Sequence, residues 1–206
     1  MKVNGFIPIK SYSERIKGKN FISYKNKRLF EHIVNSTINA GCFDNVYVDT
    51  DSEEVSDFSL NLGCRIIQRL PELATNQANG NDLLNYHSQL IDSDFYFQLF
   101  ATSPNLSPNS IKKCVDILID SREHDSILTV KKHYGWFWYK ESPVTYQPNI
   151  LPRSQDVEPI YEETTALYGI SKESLIRYKC RIGKSPFFFE LPKDECLDID
   201  WPEDLK

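Results

Sequence analysis

Residues 5–21 read GFIPIKSYSERIKGKNF, an apolar run followed by a polar loop that is crowded with basic and hydroxyl side chains. The apolar part, together with the two residues before it (VNGFIPI, residues 3–9), predicts a β-strand. The loop has neither the GxxxxGK[ST] pattern of a P-loop nor the GxGxxG pattern of a dinucleotide-binding turn. A loop after a strand can still bind phosphate through its backbone N–H groups and the next helix N-terminus. The residues alone leave this interpretation open beside a solvated basic surface loop.

The first strand begins a regular alternation of strands and helices. Compact apolar and β-branched runs predict four further strands, at residues 45–51, 64–69, 94–104 and 125–133. Apolar residues at helical spacing predict helices between them, at residues 28–41, 52–63, 79–91 and 107–121. This alternation predicts an α/β fold with a doubly wound, mostly parallel sheet. Ligands of such sheets bind beyond the carboxyl ends of the strands.

The alternation stops after Lys132. Residues 133–163 (HYGWFWYKESPVTYQPNILPRSQDVEPIYEE) are rich in aromatic residues and proline, without clear periodicity. A long irregular segment in a compact domain is usually functional or paired with another chain. The aromatic side chains of residues 136–138 favour a partner chain. We therefore predict an insert at about residues 131–162, followed by a strand that leads into a helix, another strand and a final loop.

Charge and composition limit the classes of protein to which the chain can belong. The formal net charge is −5, which argues against a general nucleic-acid-binding protein. Between Lys10 and Arg28, however, seven Lys or Arg residues accompany a single acid, Glu14, and suggest a small anionic ligand. No apolar run is long enough for a membrane span, and the N-terminus lacks a signal-peptide pattern. We therefore expect a cytoplasmic protein without a membrane partner, whose five cysteines are reduced thiols and not zinc ligands.

The C-terminal segment LDIDWPEDL, residues 197–205, places two carboxylates two residues apart, at Asp198 and Asp200. In an extended backbone both side chains lie on one face, where they repel each other unless a cation is bound between them. Mg²⁺ fits such a pair because it prefers oxygen ligands and keeps coordination positions for phosphate and water. The alternative is a polar segment whose aspartates cap a helix, and the residues leave both interpretations open.

Polar side chains also follow the second and fourth predicted strands. Asp49 and Asp51 are candidates for a ribose or metal contact, although capping of the next helix by Asp51 or Ser52 is the more ordinary role. Gln98 and Thr102 end the fourth strand, where ordinary turn chemistry is the alternative.

The insert adds two further candidates, Arg153 and Gln155. An Arg can bind a carboxylate through two parallel hydrogen bonds, although a plain surface Arg is commoner. The four histidines are far apart in the sequence, and we treat them as structural or exposed.

Six short motifs follow one another along nearly the whole chain: IKSYSERIKGKN (residues 9–20), FDNVYVDTDSEEV (43–55), RLPELATNQANGN (69–81), FATSPNLSP (100–108), PRSQD (152–156) and LDIDWPEDL (197–205). In content and order they resemble the motifs of the acylneuraminate cytidylyltransferase family, the CMP-sialic acid synthetases and their relatives. The first resembles that family's ARxxSKxxPxKN, with Ser13, Lys19 and Asn20 in register.

This resemblance implies a Rossmann-like fold, a single nucleotidyltransferase domain over residues 1–206, and a homodimer in which one subunit's insert covers the other's sugar site. It implies transfer of CMP from CTP to the anomeric hydroxyl of an α-keto acid sugar, a nonulosonate such as a sialic-type acid. Pyrophosphate would be released and Mg²⁺ would be the cofactor. The implied metal ligands are Asp198 and Asp200, which with Lys19 are also the catalytic residues. The implied nucleotide-binding residues are Lys10, Ser11, Ser13, Arg15, Lys19, Asn20, Arg69 and Asn79. The implied acceptor-binding residues are Gln98, Thr102, Arg153 and Gln155.

The chain departs from the family pattern mostly on the sugar side. Lys10 stands where Arg is usual, Phe100 where Gln is usual, and Thr164-Thr165 where the family has N-G. Trp136 stands where a basic residue of the insert often meets the sugar, and the nearby basic residues Lys131, Lys132 and His133 are candidates to compensate. A ketodeoxyoctonate-like or phosphonate acceptor, or a non-catalytic nucleotide-binding relative, is therefore the alternative.

Overall fold

A computed structural model of the chain describes residues 1–14 and 16–205. Its strands are β1 (Val3–Ile9), β2 (Ser23–Tyr24), β3 (Lys27–Arg28), β4 (Asn45–Thr50), β5 (Arg65–Gln68), β6 (Phe95–Leu99), β7 (Ser126–His133), β8 (Trp138–Tyr139), β9 (Ser142–Pro143), β10 (Ile160–Ser171) and β11 (Pro186–Glu190). Its α-helices are α1 (Leu29–Ala40), α2 (Glu53–Asn61), α3 (Gly80–Leu90), α4 (Pro108–Asp120) and α5 (Lys172–Tyr178). Short 3₁₀ helices cover Lys19–Phe21, Pro71–Leu73, Ser154–Asp156, Lys193–Glu195 and Pro202–Leu205.

Seven of the strands form one sheet in the order β11-β7-β10-β6-β1-β4-β5. Every neighbouring pair is parallel except the two that involve β10, which runs antiparallel to β6 and β7. The predicted α/β fold with a mostly parallel sheet is therefore confirmed. The direction of β10 was not predicted from the sequence. It follows from the insert, which returns the chain beside β7 as a long hairpin.

Helices cover both faces of the sheet, as the doubly wound prediction requires. The alternation of side chains along β1 shows this division, because neighbouring residues of a strand point to opposite faces. Ile7 packs in the larger apolar cluster with Ile33 of α1 and Val115 of α4. Phe6 packs in a second cluster on the other face, with Leu84 of α3.

Side-chain caps fix where the helices begin. Ser52 accepts a hydrogen bond from the Val55 N–H at the start of α2, so it is Ser52 that caps this helix. Asn79 and Asp82 form a reciprocal capping box at the start of α3. This box sets the position of the α3 N-terminus, which lies at the carboxyl edge of the sheet.

The insert leaves the sheet between β7 and β10. Its first and last residues are still paired, because His133 lies opposite Ile160 and Lys131 opposite Glu162. Residues 134–159 continue beyond the sheet and contain the small β8–β9 ribbon. The irregular part is therefore shorter than the predicted 131–162. Several large apolar side chains of this region are exposed, among them those of Tyr134, Trp136, Trp138, Tyr139, Ile150 and Leu151.

Two expectations about composition can be compared with the structure. All five cysteines are free, which agrees with the predicted reduced thiols. Among the described residues, none of the helices has the length and apolar character needed to cross a membrane.

Candidate nucleotide-binding site

The basic loop after β1 folds back against the strand that precedes it. Gly18 adopts a left-handed conformation (φ 64°), which is easy only for glycine and lets the chain turn into the 3₁₀ helix Lys19–Phe21. The Asn20 side chain donates a hydrogen bond to the Lys10 carbonyl oxygen at 2.8 Å. The two ends of the loop are thereby held together, and Lys19 and Asn20 are buried despite their polarity.

Two adjoining cavities, of about 380 and 280 Å³, form a cleft in front of this loop. They share Lys10, Lys19, Asn20 and Ala78 and are therefore parts of one site. The walls come from segments that follow β1, β5 and β6, and from the N-terminus of α3. This is the carboxyl edge of the parallel strands, where the sequence predicts ligand binding. The predicted site residues that line the cleft are Lys10, Ser13, Lys19, Asn20, Arg69, Asn79 and Thr102.

Three cations converge on this cleft. The ammonium group of Lys10 donates a hydrogen bond to the Asn76 side-chain oxygen at 2.7 Å. Burial lowers the pKa of Lys10, and the nearby positive charges of Arg69 and Lys19 lower it further. The charged form of Lys10 is therefore disfavoured by its surroundings, and an anion bound beside it would stabilise that charge. The cleft is therefore suited to a polyanionic ligand.

Arg69 is held in a buried network below the cleft. Its Nε lies 2.9 Å from Asp49 Oδ1, and its Nη2 donates to the Asp49 carbonyl oxygen at 3.1 Å. His87 Nε2 lies 2.7 Å from the other carboxylate oxygen of Asp49. Asp49, a candidate ribose or metal contact from the sequence, is therefore occupied in positioning Arg69.

The two C-terminal carboxylates lie beside residues that line the cleft. Asp200 Oδ1 is 2.7 Å from Lys19 Nζ, which joins the end of the chain to the basic loop. Asp198 Oδ2 accepts a hydrogen bond from the Thr165 hydroxyl at 2.8 Å. The backbone N–H of Ile199, between them, donates to the Thr102 carbonyl oxygen at 2.8 Å. Ile199 is fully buried, and it fixes the segment that carries both aspartates.

The environment of the Asp198 carboxylate bears on whether it fits a cation. Its Oδ1 is buried and accepts no hydrogen bond from any residue that the structure describes. Burial raises the pKa of Asp198 above its ordinary value, and the charge of Asp200 adds to the rise, while the Thr102 and Thr165 hydroxyls and the charge of Lys19 oppose it. A buried carboxylate oxygen without a partner fits a metal ion that takes one or two carboxylates and completes its shell with phosphate and water. The described residues contain no cluster of three or more His, Cys, Asp or Glu side chains that could hold a metal ion. A metal ion at Asp198 would therefore need oxygen ligands from a bound phosphate or water.

Thr165 was not among the predicted site residues. Its unusual backbone conformation brings its hydroxyl to Asp198. Its φ is 55°, a value that is unusual for a β-branched residue. The regular pairing of β10 with β7 is interrupted here, between Glu163 and Tyr168. The strained turn directs the hydroxyl of Thr165 to Asp198. The departure from the family's N-G pair at residues 164–165 was the sequence signal for a special backbone position.

Other predicted residues lie at the margin of the cleft or away from it. Ser11 is bound to the Asp51 carboxylate through both its N–H and its hydroxyl, at 2.7 and 2.6 Å. Gln98 is fully buried behind Gly80 and donates to its carbonyl oxygen at 3.0 Å. Arg153 is exposed on the insert and pairs with Asp156 at 2.6 Å. Gln155 is also exposed on the insert, and the predicted nucleotide contact Arg15 lies outside the described residues.

An α/β sheet with a basic cleft at its carboxyl edge and a carboxylate pair beside that cleft is the arrangement of a nucleotide-binding protein of the nucleotidyltransferase type. The family model described as "Cytidylyltransferase" matches residues 5–206, and the chain belongs to this family.

Named relatives and solved structures are similar over the whole chain. The N-acylneuraminate cytidylyltransferase of Streptococcus agalactiae serotype III is 29% identical to this chain. The match covers 100% of this chain and 52% of that protein. The pseudaminic acid cytidylyltransferase of Campylobacter jejuni is 24% identical, with 100% and 94% covered. The chain spans about half the length of the first of these. The structure of CMP:2-keto-3-deoxy-manno-octonic acid synthetase in complex with CTP superimposes with a TM-score of 0.72 at 16% identity, covering 98% of this chain and 95% of that one. That likeness shows the shared fold.

Proposed function

We propose that this protein transfers CMP from CTP to the anomeric hydroxyl of an α-keto acid sugar, a nonulosonate such as a sialic-type acid, and releases pyrophosphate. The observation that carries the proposal is the convergence of Lys10, Lys19 and Arg69 on one cleft, with the segment of Asp198 and Asp200 joined to it through Lys19. The names of the relatives support both halves of the reaction, CTP as donor and a nonulosonate as acceptor. We propose a cytoplasmic location for this reaction.

The basic loop is assigned to the triphosphate. Nucleotidyl transfer depends mainly on alignment and charge neutralisation. Lys10, Lys19 and Arg69 bring three cationic side chains to the cleft, of which Lys19 and Arg69 also face Asp200 and Asp49. Lys19 also contacts Asp200, so the same side chain links the phosphates to the carboxylate pair. Ser13 and Asn20 line the same cavity and offer neutral hydrogen bonds to the nucleotide.

Asp198 and Asp200 are assigned to Mg²⁺. The unpartnered Oδ1 of Asp198 would be the first ligand and Asp200 the second. When bound, the ion would neutralise phosphate charge and lower the pKa of the attacking hydroxyl. Thr165 holds the Asp198 carboxylate in place through its hydroxyl.

The acceptor is assigned to Gln98 and Thr102, with Arg153 and Gln155 of a partner's insert completing the site. We propose a homodimer for this purpose. Exposed aromatic side chains on the insert support it, because monomeric proteins rarely expose such apolar patches. Trp136 and Tyr146, with ring centroids 5.8 Å apart, are part of this surface.

The test is pyrophosphate release with Mg²⁺ and each of the four nucleoside triphosphates, against a panel of α-keto acid sugars and phosphonates. Release that requires CTP and a nonulosonate is the expected result. Binding of CTP without release against any acid of the panel would indicate a non-catalytic relative. Asp200→Ala is expected to lower turnover by a hundredfold or more, about 3 kcal/mol, whereas Asp194→Ala, at an exposed carboxylate nearby, should not. Near-normal turnover of Asp200→Ala at saturating Mg²⁺ would contradict the metal assignment.

A further inference from the structure

Arg181, between α5 and β11, lies beside the cleft in a stacked position. The central carbon of its guanidinium is 3.6 Å from the centroid of the Tyr168 ring and 5.5 Å from that of Phe100. Its backbone N–H donates to the Asn81 side-chain oxygen at 2.9 Å, which ties it to the start of α3. The Tyr168 hydroxyl donates a hydrogen bond to Glu163 at 2.6 Å, which fixes the ring on which Arg181 stacks. Stacking on aromatic rings orients the planar guanidinium and leaves its N–H edge available.

The guanidinium of Arg181 packs against Gly80, a residue of the cleft wall. A Cβ added to Gly80 would overlap Arg181 Nη1 and would lie 3.1 Å from Gln98 Oε1. Both groups therefore border the same spot at the N-terminus of α3, and Gly80 and Phe100 themselves line the cleft. Gln98 Oε1 is buried and has no hydrogen-bond partner among the described residues. An anionic ligand group in the cleft would accept hydrogen bonds from the Arg181 guanidinium, and the Gln98 carbonyl oxygen would accept one from a hydroxyl of the same ligand.

Arg181 also differs from the other basic residues on the acceptor side. Lys132 lies 2.7 Å from Glu190, His133 2.5 Å from Glu162, and Arg153 2.6 Å from Asp156. Lys131 faces Glu162 at 4.0 Å. Within residues 1–14 and 16–205, the guanidinium of Arg181 forms no ion pair with a carboxylate. It is the half-buried cation of this region whose charge is left for a ligand.

Arg181 and Asp198 contact positions of β10 that are close to each other along the chain. The Asp198 carboxylate is bound by Thr165, and the Arg181 guanidinium stacks on Tyr168. These two residues are three positions apart on β10. Three residues of extended chain span at most about 10 Å. In an α-keto acid sugar the carboxylate is attached to the anomeric carbon, next to the hydroxyl that attacks the phosphate. A receptor for that carboxylate must therefore lie within a few ångströms of the reacting centre.

We propose that Arg181 is the receptor for the anionic group of the acceptor, and that this residue determines the preference for an acid. The inference rests on the proposed function, since it concerns the second substrate of the same cleft. It assigns this role to a residue of the chain's own core, because Lys132, His133 and Arg153 of the insert each face a carboxylate. A carboxylate and a phosphonate share the chemistry that Arg181 would recognise.

The experiment compares Arg181→Gln and Arg181→Lys with the wild-type protein in the pyrophosphate assay, with N-acetylneuraminate and pseudaminate as acceptor probes. Arg177→Gln is the matched control, because Arg177 also stacks on a tyrosine, Tyr178, but borders a different cavity. Arg181→Gln is expected to raise the KM for the acid about 10- to 100-fold, the usual effect of losing a charged hydrogen-bonded pair. The KM for CTP should stay within twofold, and Arg181→Lys should recover part of the loss.

The same variants are tested with the amide of the acceptor acid. The wild-type protein should prefer the acid over its amide, and this preference should largely disappear in Arg181→Gln. An unchanged KM for the acid, or an equal rise in the KM for CTP, would overturn the assignment of Arg181 while the proposed function stands. A wild-type protein that neither binds CTP nor releases pyrophosphate with any acid would instead contradict the proposed function.

Discussion

The buried pair of Asp49 and Arg69 gives the sharpest prediction about stability. Their side chains are 1% and 3% exposed, and Arg69 Nε and Asp49 Oδ1 are 2.9 Å apart. Substituting Asp49→Asn keeps the shape but leaves the charge of Arg69 buried without its counter-ion. Two unit charges about 4 Å apart interact by about 4 kcal/mol at an effective dielectric constant of about 20. Breaking buried pairs by removing one partner costs about 3–5 kcal/mol, so we expect a loss in that range.

The pH dependence of the effect follows from the pKa of Asp49. Burial alone would raise this pKa, but the hydrogen bonds from His87 and Arg69 and the charge of Arg69 lower it overall from its ordinary 3.8. A carboxyl group with a lowered pKa in the folded state stabilises the fold above its unfolded pKa and loses this contribution as the pH falls through the folded value. The stability difference between wild type and Asp49→Asn should therefore be full at neutral pH and shrink below about pH 3.8.

Urea unfolding followed by far-ultraviolet circular dichroism is the suitable assay, because the three tryptophans are exposed and lie outside the main sheet. Asp57→Asn, at an exposed carboxylate on α2, is the control and should change stability by less than about 0.5 kcal/mol. The double variant Asp49→Asn/Arg69→Met should be more stable than the sum of the two single losses, since it leaves no uncompensated charge. A loss below about 1 kcal/mol for Asp49→Asn would refute the reasoning.

Three further predictions concern single positions. Gly169→Ala should destabilise the fold by about 1–3 kcal/mol in the same assay, because the new Cβ would lie 2.7 Å from Phe97 Cδ1; an unchanged midpoint would contradict this. Thr165→Gly should remove the hydrogen bond to Asp198, so turnover should fall by about tenfold. The unfolding free energy should change by less than about 1 kcal/mol, because glycine adopts the φ of 55° without strain. Normal turnover would count against the role of the Thr165 hydroxyl. CTP binding should take up protons at alkaline pH, because a bound phosphate raises the lowered pKa of Lys10. The affinity for CTP should fall over the same pH range, since Lys10 of the free protein loses its charge there. Calorimetry in two buffers of different ionisation enthalpy measures the uptake, and its absence would show that Lys10 lies outside the site.

Several parts of the structure could be predicted because they depend on local pattern. The five strands and four helices of the first two thirds follow from runs and helical spacings of apolar residues, and the structure contains all of them. The antiparallel β10 could not be predicted in the same way. Its direction depends on how the insert returns, and the sequence of the insert has no period that shows this.

The site was predictable where a side chain's role depends on a local motif. Lys19 and Asp200, 181 residues apart, were both named, and the structure places them 2.7 Å from each other. Asp49 shows the limit, because only the fold reveals that it is buried against Arg69 and His87. Arg181 had no signal in the sequence, since its environment comes from Phe100, Tyr168 and Gly80 on three other elements.

The measurement that tests the account most directly is calorimetric titration of CTP, with Mg²⁺, into the wild-type protein and Lys19→Met, with ATP, GTP and UTP as comparisons. We predict binding of CTP in preference to the other three nucleotides, and at least tenfold weaker binding to Lys19→Met, the effect of losing one charged hydrogen bond of about 1.5–3 kcal/mol. Circular dichroism of Lys19→Met should show that the variant is folded. Equal binding of all four nucleotides would contradict the assignment to CTP. No binding of CTP to the wild-type protein would contradict the assignment of the cleft.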